Sequence, residues 1–330
     1  MMNSIIISFR FLLKHKWKIS LVFLATTFFL IFLFPLGDLN DFISSKVSQA
    51  TNNKVFFQFD EMHLNPLTSS LGLDKVLLET EDIDHLQIEK LTATPSLFAL
   101  LKKQPGGQIS AEGFLGGNFN LKLSPSSVAI KNADPKAEVT LQKSDVEFSL
   151  DKISLKEIKK TFALNFPISG TLDATAVLNI DPAFIDQPEG ELSVTLKKFE
   201  LQTTTVNLPN LGSLNLPEIK FSTVELKGKL QSGRFVIETA KLGSSTDDFF
   251  GTLKGEVAVT IQNMNGQMHP LVNSYNLNID LQAKPGFKDR ASFFLNFIDQ
   301  YKKEEAGTTR YKFKLVSTGP GLPPQFSPMN

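Results

Sequence analysis

Residues 170–180 read Gly-Thr-Leu-Asp-Ala-Thr-Ala-Val-Leu-Asn-Ile. Leu172, Ala174, Ala176, Leu178 and Ile180 lie on one side of an alternation. Thr171, Asp173, Thr175 and Asn179 lie on the other, with Val177 the lone apolar residue there. A period of two with one apolar and one polar side marks a strand of an antiparallel sheet that is wet on one face. The pattern recurs in both directions. Upstream, Phe119, Leu121 and Leu123 oppose Asn118, Asn120 and Lys122. Downstream, Leu253, Val257, Val259 and Ile261 oppose Thr252, Lys254, Glu256 and Thr260, and Leu277, Ile279 and Leu281 oppose Asn276, Asn278, Asp280 and Gln282. Tyr311, Phe313 and Leu315 oppose Arg310, Lys312 and Lys314 near the end.

The fold class expected is mainly β (α+β), with residues 53–318 forming one large, strongly curved antiparallel sheet. Its buried face includes Leu172, Leu178, Val257, Ile261, Leu277 and Leu281, and Asn179 points to solvent. In Glu191–Leu201 the apolar set runs Leu192, Val194, Leu196 and then skips to Phe199 and Leu201. That slip at Lys197-Lys198 predicts a bulge. An echo between Gly170-Thr-Leu and Gly251-Thr-Leu, each closing on an Ile ten residues on, suggests repeated strands.

Helical interruptions are few. Pro95-Ser96 opens Leu97–Lys103, and Ser154-Leu-Lys-Glu157 is a capping-box pattern opening a helix to about Phe162. Phe287 to Lys303 places Phe287, Ala291, Phe294, Ile298 and Tyr301 on one face, which predicts a helix packed on the sheet. The tail 319–330 is Pro-rich and reads as irregular.

Before the sheet stands Ile19–Leu36, 18 residues without a charge. As a helix it would span about 27 Å, near the thickness of a bilayer's hydrocarbon core, so it reads as a transmembrane anchor. Arg10, Lys14, Lys16 and Lys18 precede it and Asp38 and Asp41 follow, which predicts residues 1–18 in the cytoplasm and the bulk of the chain across the membrane. The run exceeds a signal-peptide core and no Ala-x-Ala-like site follows, so it reads as uncleaved. In residues 38–52, Leu39, Phe42, Ile43 and Val47 keep helical spacing, with Asp38 as N-cap: a short amphipathic helix at the outer membrane face, ending at Asn52-Asn53.

Composition narrows the function. Net charge is +0, with 34 basic and 34 acidic residues, and no basic stripe offers a nucleic-acid surface. The absence of cysteine excludes disulfides, thiolate catalysis and Cys-based metal sites. His15, His63, His85 and His269 are isolated, and no HExxH, phosphate loop or G-x-S-x-G elbow occurs. Ser149-Leu-Asp-Lys152 matches S-x-x-K, and Asp60-Glu61 and Asp247-Asp248 are adjacent acids; a strand turn and solvated loops explain them. No catalytic, cofactor or metal residue is named, no cofactor is expected, and the chain reads as non-enzymatic. The 29 Phe against 3 Tyr and 1 Trp call for lipid, a core or an apolar cleft.

The anchor, the amphipathic helix and Thr51-Asn-Asn-Lys-Val55 entering an apolar strand resemble the N-terminus of AsmA-like envelope proteins. Gln87-Ile-Glu-Lys-Leu91, Ser96-Leu-Phe-Ala-Leu-Leu101 and Gln108-Ile-Ser-Ala-Glu-Gly113 are similar to that family's strand, short helix and returning strand. Glu189–Leu196, Phe199-Glu-Leu201, Leu214-Asn-Leu-Pro217 and Arg310–Leu315 with Gly319-Pro320 look like the type II secretion system protein N family in its longer form. The resemblance implies a single-pass protein of the bacterial inner membrane with a curved periplasmic sheet. Its expected role is a non-enzymatic component of the type II secretion apparatus, with other secretion-system or envelope proteins and membrane lipids as partners. AsmA-like relatives imply the alternative, a lipid-binding or lipid-transfer protein acting between the inner and outer membranes. The discriminator is whether helices at 96–103, 155–162 and 288–303 cover the apolar face of the sheet.

Overall fold

The structure, a computed structural model, describes residues 16–33, 39–102, 104–129, 142–182, 184, 186–208, 212–264, 267–305 and 307–329. Strand accounts for 60% of it and helix for 18%, so the protein is mainly β. The first half of the chain supplies β1 (Val55–Gln58), β2 (Glu61–Asn65), β3 (Ser70–Thr80), β4 (Leu86–Pro95), β5 (Gly107–Phe114), β6 (Gly117–Ala129), β7 (Gln142–Ser154) and β8 (Ile168–Ile180). The second supplies β9 (Glu189–Leu201), β10 (Thr204–Leu208), β11 (Gly212–Leu216), β12 (Ile219–Gln231), β13 (Arg234–Leu242), β14 (Phe249–Met264), β15 (Gln267–Ala283), β16 (Lys302–Glu305), β17 (Thr308–Ser317) and β18 (Gln325–Pro328). All but β10 and β11 join one antiparallel sheet in nearly sequential order. β1 and β2 share one edge strand, β3, while β16 and β18 flank β17 at the other end; β10 and β11 form a separate hairpin.

Local chemistry explains the punctuation. The slip in β9 is a bulge: Lys198 takes φ 51°, and the β8–β9 register shifts between Ser169 and Thr171. Asn52 and Asn53 turn the chain into β1 with φ 53° and 61°, a region Asn enters more readily than other residues bearing a Cβ. The two Gly-Thr-Leu segments are strands of the same sheet, but following the register across it aligns Leu172 with Gly251, so the echo is displaced by two residues.

Helix α1 (Lys16–Leu33) contains Ile19–Leu33 of the apolar run; Phe34–Leu36, like His15 and Asp38, lie outside the described residues. No helix among the described residues is long and apolar enough to cross a membrane. The helix opens with Lys16 and Lys18, and the apolar part left to it is about 22 Å long, short of a hydrocarbon core of roughly 30 Å. The membrane-spanning reading thus gains no support from α1 as described. Helix α2 (Leu39–Ala50) lies against β1 and β2, with Leu39 and Ile43 packed on the sheet's core and Asn40 Nδ2 donating to the Phe59 carbonyl. Two residues of its apolar side, Leu39 and Ile43, therefore meet protein, while Phe42 stays exposed.

Ser96 caps α3 (Leu97–Leu101), and Ser154 Oγ accepts from the Glu157 N–H at 3.4 Å to open α4 (Leu155–Thr161), as the sequence signals predict. The expected helix from Phe287 to Lys303 is instead three short turns: α5 (Pro285–Arg290), α6 (Ser292–Leu295) and a 3-10 turn (Asn296–Tyr301), followed by β16. Phe287, Ala291, Leu295 and Ile298 are buried, so the helical spacing survives a break at Ala291 while Leu295 replaces Phe294 in the core. The tail is also more ordered than expected, because Gln325–Pro328 pairs with β17 and Phe326 meets Phe313 at 5.7 Å. Pro328 ends that short edge strand, a position where its missing N–H is tolerated.

Burial is concentrated at the two ends of the strand order. One cluster gathers Phe59, Val76, Ile88, Ala111 and Ile153 beneath α2 and α4. The other gathers Ile279, Ala283, Tyr311 and Phe313 with residues of α5, α6 and the 3-10 turn. Between them the expected buried layer is incomplete. Leu172, Leu178, Val257, Ile261, Leu277 and Leu281 all share the apolar face, but each remains partly exposed.

Candidate functional site

The site with the strongest chemical character is this apolar face. The register aligns Leu121, Phe148, Ala176, Leu192, Gly228, Ile237, Gly255, Leu277 and Leu315 in one row across nine strands. A parallel row runs through Phe119, Leu150, Ala174, Val194, Leu226, Ala240, Leu253, Ile279 and Phe313. From Phe148 to Leu277 the first row alternates large with small. A Cβ on Gly228 would stand 2.6 Å from the Phe235 ring, and one on Gly255 would stand 2.1 Å from the Asn276 carbonyl oxygen. The Phe235 ring thus lies over Gly228, and backbone of β15 closes on Gly255.

Leu178, Leu192, Val194, Leu196, Val224, Leu226 and Phe235 are all partly exposed, and none belongs to either packed cluster. Among the described residues, the helices pack elsewhere. α4 packs on β7 and β8, and α5 and the 3-10 turn pack on β17. α3 turns its apolar side chains outward: Leu97, Phe98, Leu100 and Leu101 are all exposed. The opposite face is laced with ion pairs, among them Lys122–Glu147 at 2.8 Å, Lys197–Asp173 at 2.7 Å and Lys229 with Glu191 and Glu238 at 3.3 and 3.2 Å. Such pairs add little stability, but they establish which face is wet.

The residues considered for catalysis do not converge. Ser149 pairs with Thr175 between strands, while Lys152 sits in a bulge at φ 56° and its Nζ approaches Asp151 at 3.8 Å. Asp60 accepts from Lys75 Nζ at 2.8 Å. Burial pushes the Asp247 carboxyl up, but backbone and hydroxyl hydrogen bonds from Ser222 and Ser244 outweigh it and hold the group below its usual range. Asp248 meets Arg290 at 3.1 Å. Both acidic pairs therefore shape loops or surfaces.

His85 Nδ1 meets Glu79 at 2.5 Å, and His269 is an exposed strand residue. Sequence spacing missed one grouping: Glu61 and Asp74 are direct cross-strand partners, and His63 Nε2 lies 2.8 Å from Asp74 and 3.4 Å from Glu61. Two like charges face each other there, with the His63 ring within hydrogen-bond reach of Asp74. A cleft of about 920 Å³ between β3, β4 and α4 carries mixed charges, including Asp60, Lys75, Glu89 and Lys160.

No protein-family model matches this chain, and no curated protein or solved structure is significantly similar to it.

Proposed function

We propose that this chain is a non-catalytic protein of the bacterial inner membrane that holds the acyl chains of lipids along the apolar face of its sheet. The observation that supports it is the uncovered row of Leu178, Leu192, Val194, Leu226 and Phe235 between two packed ends. A one-sided sheet hides such a face under a second layer or lends it to a ligand, and lipid tails are ligands of matching length and polarity. The N-terminal apolar run is the proposed anchor, with residues 1–18 cytoplasmic and the sheet periplasmic. Leu21, Val22 and Phe23 are all exposed, and three successive residues face three sides of a helix. That distribution suits lipid on every side.

The test places a photoreactive benzoylphenylalanine at Leu192 or Leu226 of the full chain in cells whose phospholipids carry radioactive phosphate. Label transferred to the protein from these positions, and not from Ser193 or Lys227 on the other face, is the expected result. Transfer from neither apolar position would remove the proposal. The second reading, a component of the type II secretion apparatus, draws on the resemblance and on the sheet's two edges, where β1, β2, β16 and β18 are short enough to leave neighbouring backbone open to strand addition. Gene deletion separates the two. Lost export of folded proteins with unchanged membrane lipids selects secretion, and shifted phospholipids with normal export select lipid handling.

A further inference from the structure

We propose that the end of the sheet carrying Leu67 and helix α3 docks into the surface of the membrane that holds the anchor. This rests on the membrane attachment proposed above and adds a second, peripheral contact to it. Leu67 is 96% exposed at the tip of the β2–β3 turn, where the Asn65 side chain accepts from the Leu67 and Thr68 N–H groups and holds the turn in shape. Leu71 pairs with Ala93, so the β2–β3 turn and the β4–β5 connection bearing α3 leave the sheet at the same end.

On that connection Leu97, Phe98, Leu100 and Leu101 are exposed, Leu101 to 85%. The segment is a formed structure. Ser96 caps α3, Ala99 is fully buried, and the Ser96 N–H donates to the Gly106 carbonyl at 3.1 Å. It therefore presents a fixed apolar prong to solvent.

Two observations select a bilayer as the occupant. Lys102 Nζ lies 4.4 Å from the centre of the Phe98 ring, so a cation flanks the apolar tip, the arrangement that suits anionic head groups above acyl chains. The chain path is the other. β1 starts at Val55 opposite Thr80, and β2 ends at Asn65 opposite Ser70, so this edge runs toward the prong. α2 runs back along it, and its first turn is held at Phe59 by Asn40. The anchor's helix ends at Leu33, six residues before α2, a length of chain that reaches at most about 20 Å. The anchor is thereby held within about 20 Å of the middle of this edge, which leaves the prong within its reach.

The experiment uses full-length protein reconstituted in vesicles of phosphatidylethanolamine and phosphatidylglycerol. Single cysteines replace Leu67, Leu101, Phe23 or Phe297 and carry an environment-sensitive fluorophore, and quenching by nitroxide-bearing lipids is read. All four side chains are exposed, so substitution leaves the fold intact; Phe297 is at the opposite end of the sheet. The expected result is loss of emission at Leu67 and Leu101 comparable to that at Phe23, with Phe297 unaffected. Quenching at Phe23 without quenching at Leu101 overturns the docking proposal and leaves the anchor standing. A blue shift at Leu101 without lipid quenching assigns the prong to contact with a second copy of the chain and overturns it too. No quenching at Phe23 overturns the membrane attachment itself.

Discussion

At the scale of residues, Asp173 shows how the polar face serves the fold. Its carboxylate takes a hydrogen bond from Lys197 Nζ and one at 2.8 Å from the Lys152 N–H, where β7 bulges between Leu150 and Ile153. The hydrogen bond from Lys197, then that from Lys152, hold its carboxyl below the usual range. A folded-state pKa depressed below the unfolded value contributes stability above the unfolded pKa and loses it as pH falls through the folded one. Asp173→Asn should therefore melt at a lower temperature at neutral pH, with the gap closing as pH falls below about 4. An equal gap at both pH values would contradict this.

Asn179 was expected in solvent, and the alternation did place it on the wet face. It donates, however, to Asp145 at 2.7 Å and to the buried Ser126 at 2.9 Å, partners 34 and 53 residues away. Asn179→Asp would set a carboxylate against Asp145 and cost about 1–3 kcal/mol, readable in a thermal melt. A melt matching the parent's would show that the contact contributes nothing.

Among the elements, the segment after β15 is the most informative. Phe287 stacks on Phe249 at 4.6 Å, continuing a ladder that runs through Phe221 and Phe199 at 6.0 and 6.1 Å. This ladder gives part of the Phe excess a structural purpose. Phe287→Ala should lose about 3–5 kcal/mol, whereas Phe293→Ala, at an exposed ring, should stay within about 0.5 kcal/mol in denaturant titrations. Similar losses would mean that the helical turns do not dock as a lid on β17. The spacing of Phe287, Ala291 and Ile298 was readable in the sequence. The break at Ala291 and the burial of Leu295 were not, because the sheet's surface, and not helix propensity, sets where each turn touches.

For the whole molecule, stability should follow the two packed ends. Strands β9, β12 and β13 carry most of the uncovered row, so their amides should exchange with deuterium faster than those of β3, β4, β15 and β17. An acyl ligand on the open face should slow exchange in the middle strands and leave the ends unchanged. Middle-strand exchange unchanged by the ligand, or added protection confined to the ends, would count against lipid lying on that face.

The period of two by itself determined a mainly β chain, the wet and apolar faces, and the bulge at Lys197-Lys198, because alternation and its slips are properties of neighbouring residues. Local hydrogen bonding likewise made the caps at Ser96 and Ser154 legible. Tertiary structure alone decided that Leu178, Leu192 and Val257 lie on an open face. An apolar strand face reads the same whether a second layer closes over it or not, since the covering atoms belong to distant segments. The meeting of Glu61, His63 and Asp74 came from strand register, and the fixed apolar prong came from the burial of Ala99 on the inner side of α3. Neither is encoded in any spacing along the chain.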